Sequence, residues 1–251
     1  MVSIFDYAKY PTSEEYDQIY DKKKNKLNKI QLKSEEKTYN LFDGLFNAFQ
    51  EIELDYWVKE FNNRTFDLVN CYVMLMYYYG KGIPDKEWYI SPGKNGESVQ
   101  YFPYFEEKHY VYLYWFGFYM DSYYTKFFSL IDTIYHLINI KYGFGIENSL
   151  GFNRKISNEL KIKDNELYEF LDSIRINETY LKVSEFRNNI THNYRPNQID
   201  SGINRKSESG KFVISMSVGN YTPTNEFVIN IEQSIDLLSY IIDNIKNKFE
   251  N

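Results

Sequence analysis

Apolar residues recur at helical spacing along most of this chain. Leu41, Leu45, Phe46, Phe49 and Ile52 predict an early helix. Start signals lie ahead of it, at Ser13 with acidic residues behind it and at Ser34 with Glu35 and Glu36. The next stretch, TFDLVNCYVMLMYYY, is apolar nearly all round and reads as a central helix with Thr65 as its N-cap. Residues 80–104 gather Gly80, Gly82, Pro84, Pro92, Gly93, Gly96 and Pro103 and read as a long turn-rich loop. From Phe105 to Tyr142 there is no proline and one glycine, which predicts a helix ~55 Å long with a kink near Gly117. Asp121, Phe128, Asp132 and Tyr135 follow heptad-like spacing there, with His136 and Asn139 close to the same face. Polar groups in so apolar a helix must find partners or line a cleft.

Helical patterns return at residues 147–161, 165–175 and 178–194, the last opened by Asn177 and stopped by Pro196. Residues 197–210 are polar and read as an exposed loop. KFVISMSV alternates apolar and polar positions and predicts a strand, with TPTNEFVINI as its hairpin partner. A last helix is expected from about Glu232 to Phe249, burying Ile235, Leu238, Ile241, Ile242 and Ile245. The sum is an all-α chain with a small β-hairpin insert before its C-terminal helix. It reads as one domain over residues 1–251, with a helical extension at 1–39 and a loop excursion at 80–104.

Composition narrows the function. The net charge is -6, which counts against a protein that coats nucleic acid non-specifically. Residues 22–33 hold six lysines and no acid; a solvated helix face is favoured there over an RNA-binding arm. The single cysteine, Cys71, excludes an intrachain disulfide and reads as a small buried hydrophobe. The first residues lack a signal-peptide pattern, and the longest apolar runs are about half a membrane span, so a cytoplasmic protein without a membrane segment is expected.

Most catalytic furniture is missing. There is no zinc pattern, no phosphate-binding Walker loop and no Gly-x-Ser-x-Gly, and the Gly-x-Gly at 143–145 follows a helix rather than a strand. No metal or cofactor is expected. Asp132 and His136 stand four apart, and a structural hydrogen bond is the favoured reading there. His109, among Glu106, Glu107 and Lys108, reads as exposed.

One stretch remains, EFRNNITHNYRPN, residues 185–197. On a helix Asn188 and His192 stack on one face, whereas Arg187 and His192 diverge by ~140°. The two could converge in a cleft if the helix lay against a second copy of itself. A helix C-terminus also favours a protonated histidine, and a histidine titrating near neutrality suits acid–base chemistry. The bland alternative is a surface ion pair for Arg187 and a helix-end role for His192.

The run Arg187-Asn188-Asn189-Ile190-Thr191-His192 resembles the Arg-x4-6-His motif of the HEPN superfamily, including the polar residue after the arginine. The similarity spans roughly residues 40–250 and is best at 119–142 and 180–196. The resemblance implies a helical bundle, usually dimeric, and a metal-independent ribonuclease of a bacterial toxin–antitoxin or antiviral system. His192 would then be general base or acid, Arg187 would stabilise the phosphorane, and Asn188 would orient the histidine or bind phosphate. Asp132 and Thr191 would be supporting groups, and RNA the substrate. The expected product is a 2′,3′-cyclic phosphate. Tyr194 extends the match to Arg-x4-His-x-Tyr, which in some members is modified with AMP by a partner nucleotidyltransferase antitoxin. The competing class is a non-catalytic HEPN module that binds nucleotides or assembles with other proteins. Retention of both Arg187 and His192 favours the enzyme. The net acidity is the main argument on the other side, but the local balance is better: Lys182, Arg187, Arg195, Arg205, Lys206 and Lys211 stand against Glu185, Asp200 and Glu208 over residues 181–211, a net of +3. That segment could hold a short single strand, with Tyr180 or Tyr194 stacking a base. A ligand pocket lined by the aromatic helices has little support.

Overall fold

The two longest apolar stretches become two long helices, α3 (Leu45–Gly80) and α4 (Glu107–Lys141), in a computed structural model that describes residues 3–33, 45–208 and 211–250. The start expected at Ser34, Glu35 and Glu36, and Leu41, lie outside the described residues, as do the side chains of Leu45 and Phe46. Helices α3 and α4 pack along each other through Phe61, Leu68, Tyr72 and Leu75 on one and Phe116, Met120, Tyr123 and Phe127 on the other, all fully buried. The Gln50 side-chain amide donates to the Ile140 carbonyl and ties the start of α3 to the end of α4.

Thr65 opens no helix, contrary to expectation. The residues before it are helical too, and its hydroxyl is satisfied in mid-helix by donating to the Phe61 carbonyl at 3.0 Å. Cys71 is buried as expected, and burial pushes its thiol up to about 11. His109 is half-buried rather than exposed. It serves the α4 N-terminus, its Nδ1 accepting from the Glu106 amide at 2.9 Å. Helix α4 runs unbroken through Gly117; the missing side chain there gives room for Asn197, whose Nδ2 would lie 2.5 Å from an added Cβ.

The N-terminal segment forms α1 (Ser13–Asp21), α2 (Lys24–Leu27) and a 3-10 turn at Asn28–Ile30. The cap of α1 is Thr12 rather than Ser13, in a reciprocal pair with Glu15. The lysine-rich stretch is a strap, neither a purely solvated face nor a free arm. Leu27, Ile30 and Leu32 enter the core, while Lys23, Lys26 and Lys29 pair with Glu232, Asp236 and Asp243 on the last helix.

After α4 come α5 (Phe152–Lys163), α6 (Asn165–Arg175) and α7 (Glu178–His192). Helix α5 starts later than its pattern suggested, because Gly151 takes a φ of +78° and breaks the backbone there. Asn177 caps α7 as expected, accepting from the amides of Thr179 and Tyr180 at 2.9 and 3.3 Å.

The hairpin exists, but with another first strand. β4 (Lys211–Met216) pairs with β3 (Ile203–Glu208), within what read as a polar loop. TPTNEFVINI instead opens α8 (Thr224–Glu250), which therefore begins eight residues before its expected start. The β-branched residues of that stretch suggested a strand, but Phe227 and Ile231 are four apart and fully buried on one helix face. The apolar face of α8 is otherwise as expected, with Ile235, Leu238, Ile241, Ile242 and Ile245 all buried.

The 80–104 excursion holds a short pairing of β1 (Tyr89–Ile90) with β2 (Gln100–Tyr101) and is tied to the segment around α8 by hydrogen bonds and by the ring contacts of Trp88 and Phe102 with Tyr221. Asp85, 3% exposed, accepts from the Tyr221 hydroxyl, the Thr224 amide and the Thr224 hydroxyl at 2.7, 2.8 and 3.0 Å, and so caps α8. The Tyr101 hydroxyl donates to the Val218 carbonyl at 2.9 Å. At the hairpin base, Gly202 has a φ of +64°, and a Cβ there would collide with the Ser217 carbonyl. Replacing Gly202 with alanine is therefore expected to cost roughly 1–3 kcal/mol. Urea unfolding of the variant measures this, and an unchanged midpoint would contradict the collision.

Candidate active site at the end of α7

Helix α7 is anchored by Val183 and Phe186, which are buried; the Phe186 ring meets Tyr124 at 5.7 Å and Phe227 at 4.7 Å between centroids. Arg187 follows Phe186, so its side chain leaves the helix ~100° around from that core contact. It is half-buried. Its guanidinium lies over the Phe128 ring of α4, 5.8 Å from the centroid, and Nη1 donates to the neighbouring Asn188 Oδ1 at 3.2 Å. Asn188 shares a helix face with His192, whereas Arg187 leaves the helix ~140° around from it.

Thr191 donates its hydroxyl to the Arg187 carbonyl at 2.6 Å, closing the last turn. The His192 ring is exposed and, among the described residues, has no hydrogen-bond partner. Asn193 ends the helix, its amide donating to the Asn189 carbonyl at 3.1 Å and its side chain to Asn189 Oδ1 at 3.0 Å. The stop thus comes before Pro196, which itself accepts from the Thr222 amide at 2.7 Å. Tyr194 projects into solvent, 71% exposed.

Beyond Tyr194 the chain turns back onto α4. Arg195 Nη1 meets Asp121 Oδ2 at 3.1 Å, and the Asn197 amide fills the space over Gly117. Burial pushes the Asp121 carboxyl up to about 6, with the Arg195 charge pulling the other way. Its other oxygen, Oδ1, is buried and has no hydrogen-bond partner, and so is Asn197 Oδ1.

Asp132 is not brought beside His192 within one protomer. Its carboxylate accepts from Asn153 of α5 at 2.7 Å, and along α4 it lies near Tyr180, which is ~18 Å from His192 along α7. The expected Asp132–His136 bond is absent too. The His136 ring is sandwiched between Trp57, at 4.0 Å and 7°, and Phe152, at 4.5 Å and 28°. Burial and the nearby Arg64 lower its basicity, with Asp132 opposing. Among the described residues no group of three or more His, Cys, Asp or Glu is placed to hold a metal ion. No helix among them is long and apolar enough to cross a membrane.

The pairing of Asp121 with Arg195 is not foreseen by the sequence pattern. The signal was available in Gly117: a glycine one turn before an acidic residue, in an otherwise large-residue helix, marks where another chain segment comes close.

A helical bundle that displays an Arg-x4-His motif, with an asparagine after the arginine, on a solvent-facing helix end is of the HEPN class. A match to the family described as HEPN_Cthe2314-like HEPN covers residues 57–249, from within α3 to the end of α8, and the chain belongs to that family. No curated protein and no solved structure matches the chain.

Proposed function

We propose that this protein is a metal-independent endoribonuclease, acting in the cytoplasm as a toxin or antiviral effector, whose site is completed when two copies bring their α7 helices together. The observation that carries the reading is the exposed Asn188 and His192 beside a half-buried Arg187 that bonds Asn188, on a helix end whose rear is locked into the core. His192 takes the proton from the ribose 2′-hydroxyl, or gives one to the leaving 5′-oxygen. Arg187 stabilises the charge that builds on the pentacoordinate phosphorus, and Asn188 holds the guanidinium in place. The nucleophile belongs to the RNA, so the product ends in a 2′,3′-cyclic phosphate. In a single chain the two side chains point ~140° apart, which is why a second copy is needed.

The test is cleavage of mixed RNA by purified protein in EDTA, followed by end-group analysis. Cyclic phosphate ends formed in EDTA are expected; a strict need for magnesium or manganese would overturn the mechanism.

Tyr194, exposed and two residues past His192, is the proposed acceptor for AMP from a nucleotidyltransferase antitoxin. Added charge and bulk there would block RNA. Intact mass after co-expression with such an enzyme is expected to rise by one AMP per chain, and to stay unchanged in Tyr194→Phe; a Tyr194→Phe chain that still gains AMP places the modification elsewhere.

One observation favours the second reading, a protein-interaction module. The hairpin face carrying Ile203, Phe212, Ile214 and Met216 is exposed. Under that reading RNA stays intact whatever occupies His192.

A further inference from the structure

We propose that Asp121 is a positioning residue for His192: through its ion pair with Arg195, one turn of α4 from where Asn197 seats over Gly117, it clamps the segment leaving α7 onto α4 and thereby fixes where the imidazole and Tyr194 stand. This rests on the ribonuclease reading of the site and adds to it the part that holds the histidine from behind.

His192 is the last residue of α7 and has no partner of its own among the described residues, so its position follows from the backbone on either side. The upstream side is fixed by the helix and by Thr191. The downstream side is fixed at two successive turns of α4, by the Arg195–Asp121 ion pair and by Asn197 seated on Gly117. On α4 itself the groups around Asp121 are Gly117, Phe118 and Thr125, whose hydroxyl donates to the Asp121 carbonyl at 3.0 Å. From the returning segment it is Arg195, with Asn197 over Gly117 one turn earlier. Among the described residues Arg195 is the ion-pair partner of Asp121, and its charge opposes the effect of burial on the carboxyl.

The arrangement is costly, which argues that it is kept for function. A carboxylate with one oxygen buried and unpartnered breaks the rule that buried polar atoms are hydrogen-bonded, and such breaks concentrate at functional sites. Its raised pKa has a definite sign. The folded chain binds the proton more tightly than the unfolded one, so this group's contribution to stability falls as pH rises from about 4 to about 6 and is level above. The clamp is engaged, with Asp121 charged, on the neutral side of that window. It loosens on the acidic side.

The chain has three histidines, so each imidazole Cε1–H signal can be followed by NMR, and a His192→Ala sample identifies the relevant one. Asp121→Asn removes the charge and keeps the shape. Arg195→Ala breaks the same clamp from its half-exposed side and leaves the core untouched. Each is expected to move the His192 signal while the His109 and His136 signals stay in place. Each is expected to lower kcat roughly 10–100-fold with little change in KM, and the double variant should be no worse than either single one. Arg195→Lys should recover part of the loss. A His192 signal that is the same in wild type and in whichever of the two variants folds would overturn the proposal. If wild type cleaves no RNA, the ribonuclease reading fails, and the His192 signal still decides whether Asp121 positions it.

Discussion

His192→Ala is expected to lower RNA cleavage roughly 10²–10⁴-fold, the range for loss of a proton-transfer group. Arg187→Ala should cost about 10²–10³-fold, as for removal of one fixed charge from a transition state. The pair serves one step, so the double variant should be scarcely worse than His192→Ala alone. Stability is the control. His192 is exposed and makes no hydrogen bond among the described residues, so its removal should change unfolding free energy by no more than about 0.5 kcal/mol. Arg187 lies over Phe128 and bonds Asn188, and a loss of up to about 1 kcal/mol is reasonable there. The measurements are single-turnover cleavage and urea unfolding on the same samples. Cleavage unaffected by either substitution would remove the site from α7. Unfolding in either would return the motif to a structural role.

The largest stability effect is expected at Asp85. Its carboxylate is buried and receives three hydrogen bonds, two from Thr224 and one from Tyr221. Asp85→Ala strands the Tyr221 hydroxyl, which is itself buried, and leaves the first turn of α8 without its anionic cap. Breaking a buried charged network from one side costs about 3–5 kcal/mol. Asp85→Asn keeps one acceptor but turns an NH₂ towards a donor, so an intermediate loss is expected. A loss below about 1 kcal/mol in Asp85→Ala, measured by urea unfolding, would mean that water replaces the carboxylate and that the 80–104 loop is not pinned.

What could be read from the sequence follows from what each segment buries. Helices α3, α4 and the back of α8 carry long apolar patterns, and those patterns are their cores. The start of α7 was legible because Asn177 does locally what an N-cap does, with its own side chain. The motif was legible because it is contiguous. The misses are non-local. Strand β3 is an exposed ribbon edge with no apolar alternation to announce it. The start of α8 is set by Asp85, 139 residues earlier in the chain, and nothing near Thr224 reveals that. Asp121 and Asp132 look alike in a helical pattern; which of them meets the returning Arg195 and which meets Asn153 is set by segments far along the chain.

The strap and the Asp85 cap both reach across the whole chain to α8: Lys29 and Asp243 are 214 positions apart. During synthesis the N-terminal segment leaves the ribosome long before its partner exists. Leu27, Ile30 and Leu32 then have no α8 beside them, and Asp85 has no helix start to hold. The Arg187–His192 segment emerges in that interval as well. A nascent chain that already displays the motif thus still lacks the helix that seats Phe186 through Phe227 and gives α7 its footing. On the proposed ribonuclease reading, translation timing would keep the chain inert beside the RNA that encodes it until α8 is free to close the bundle.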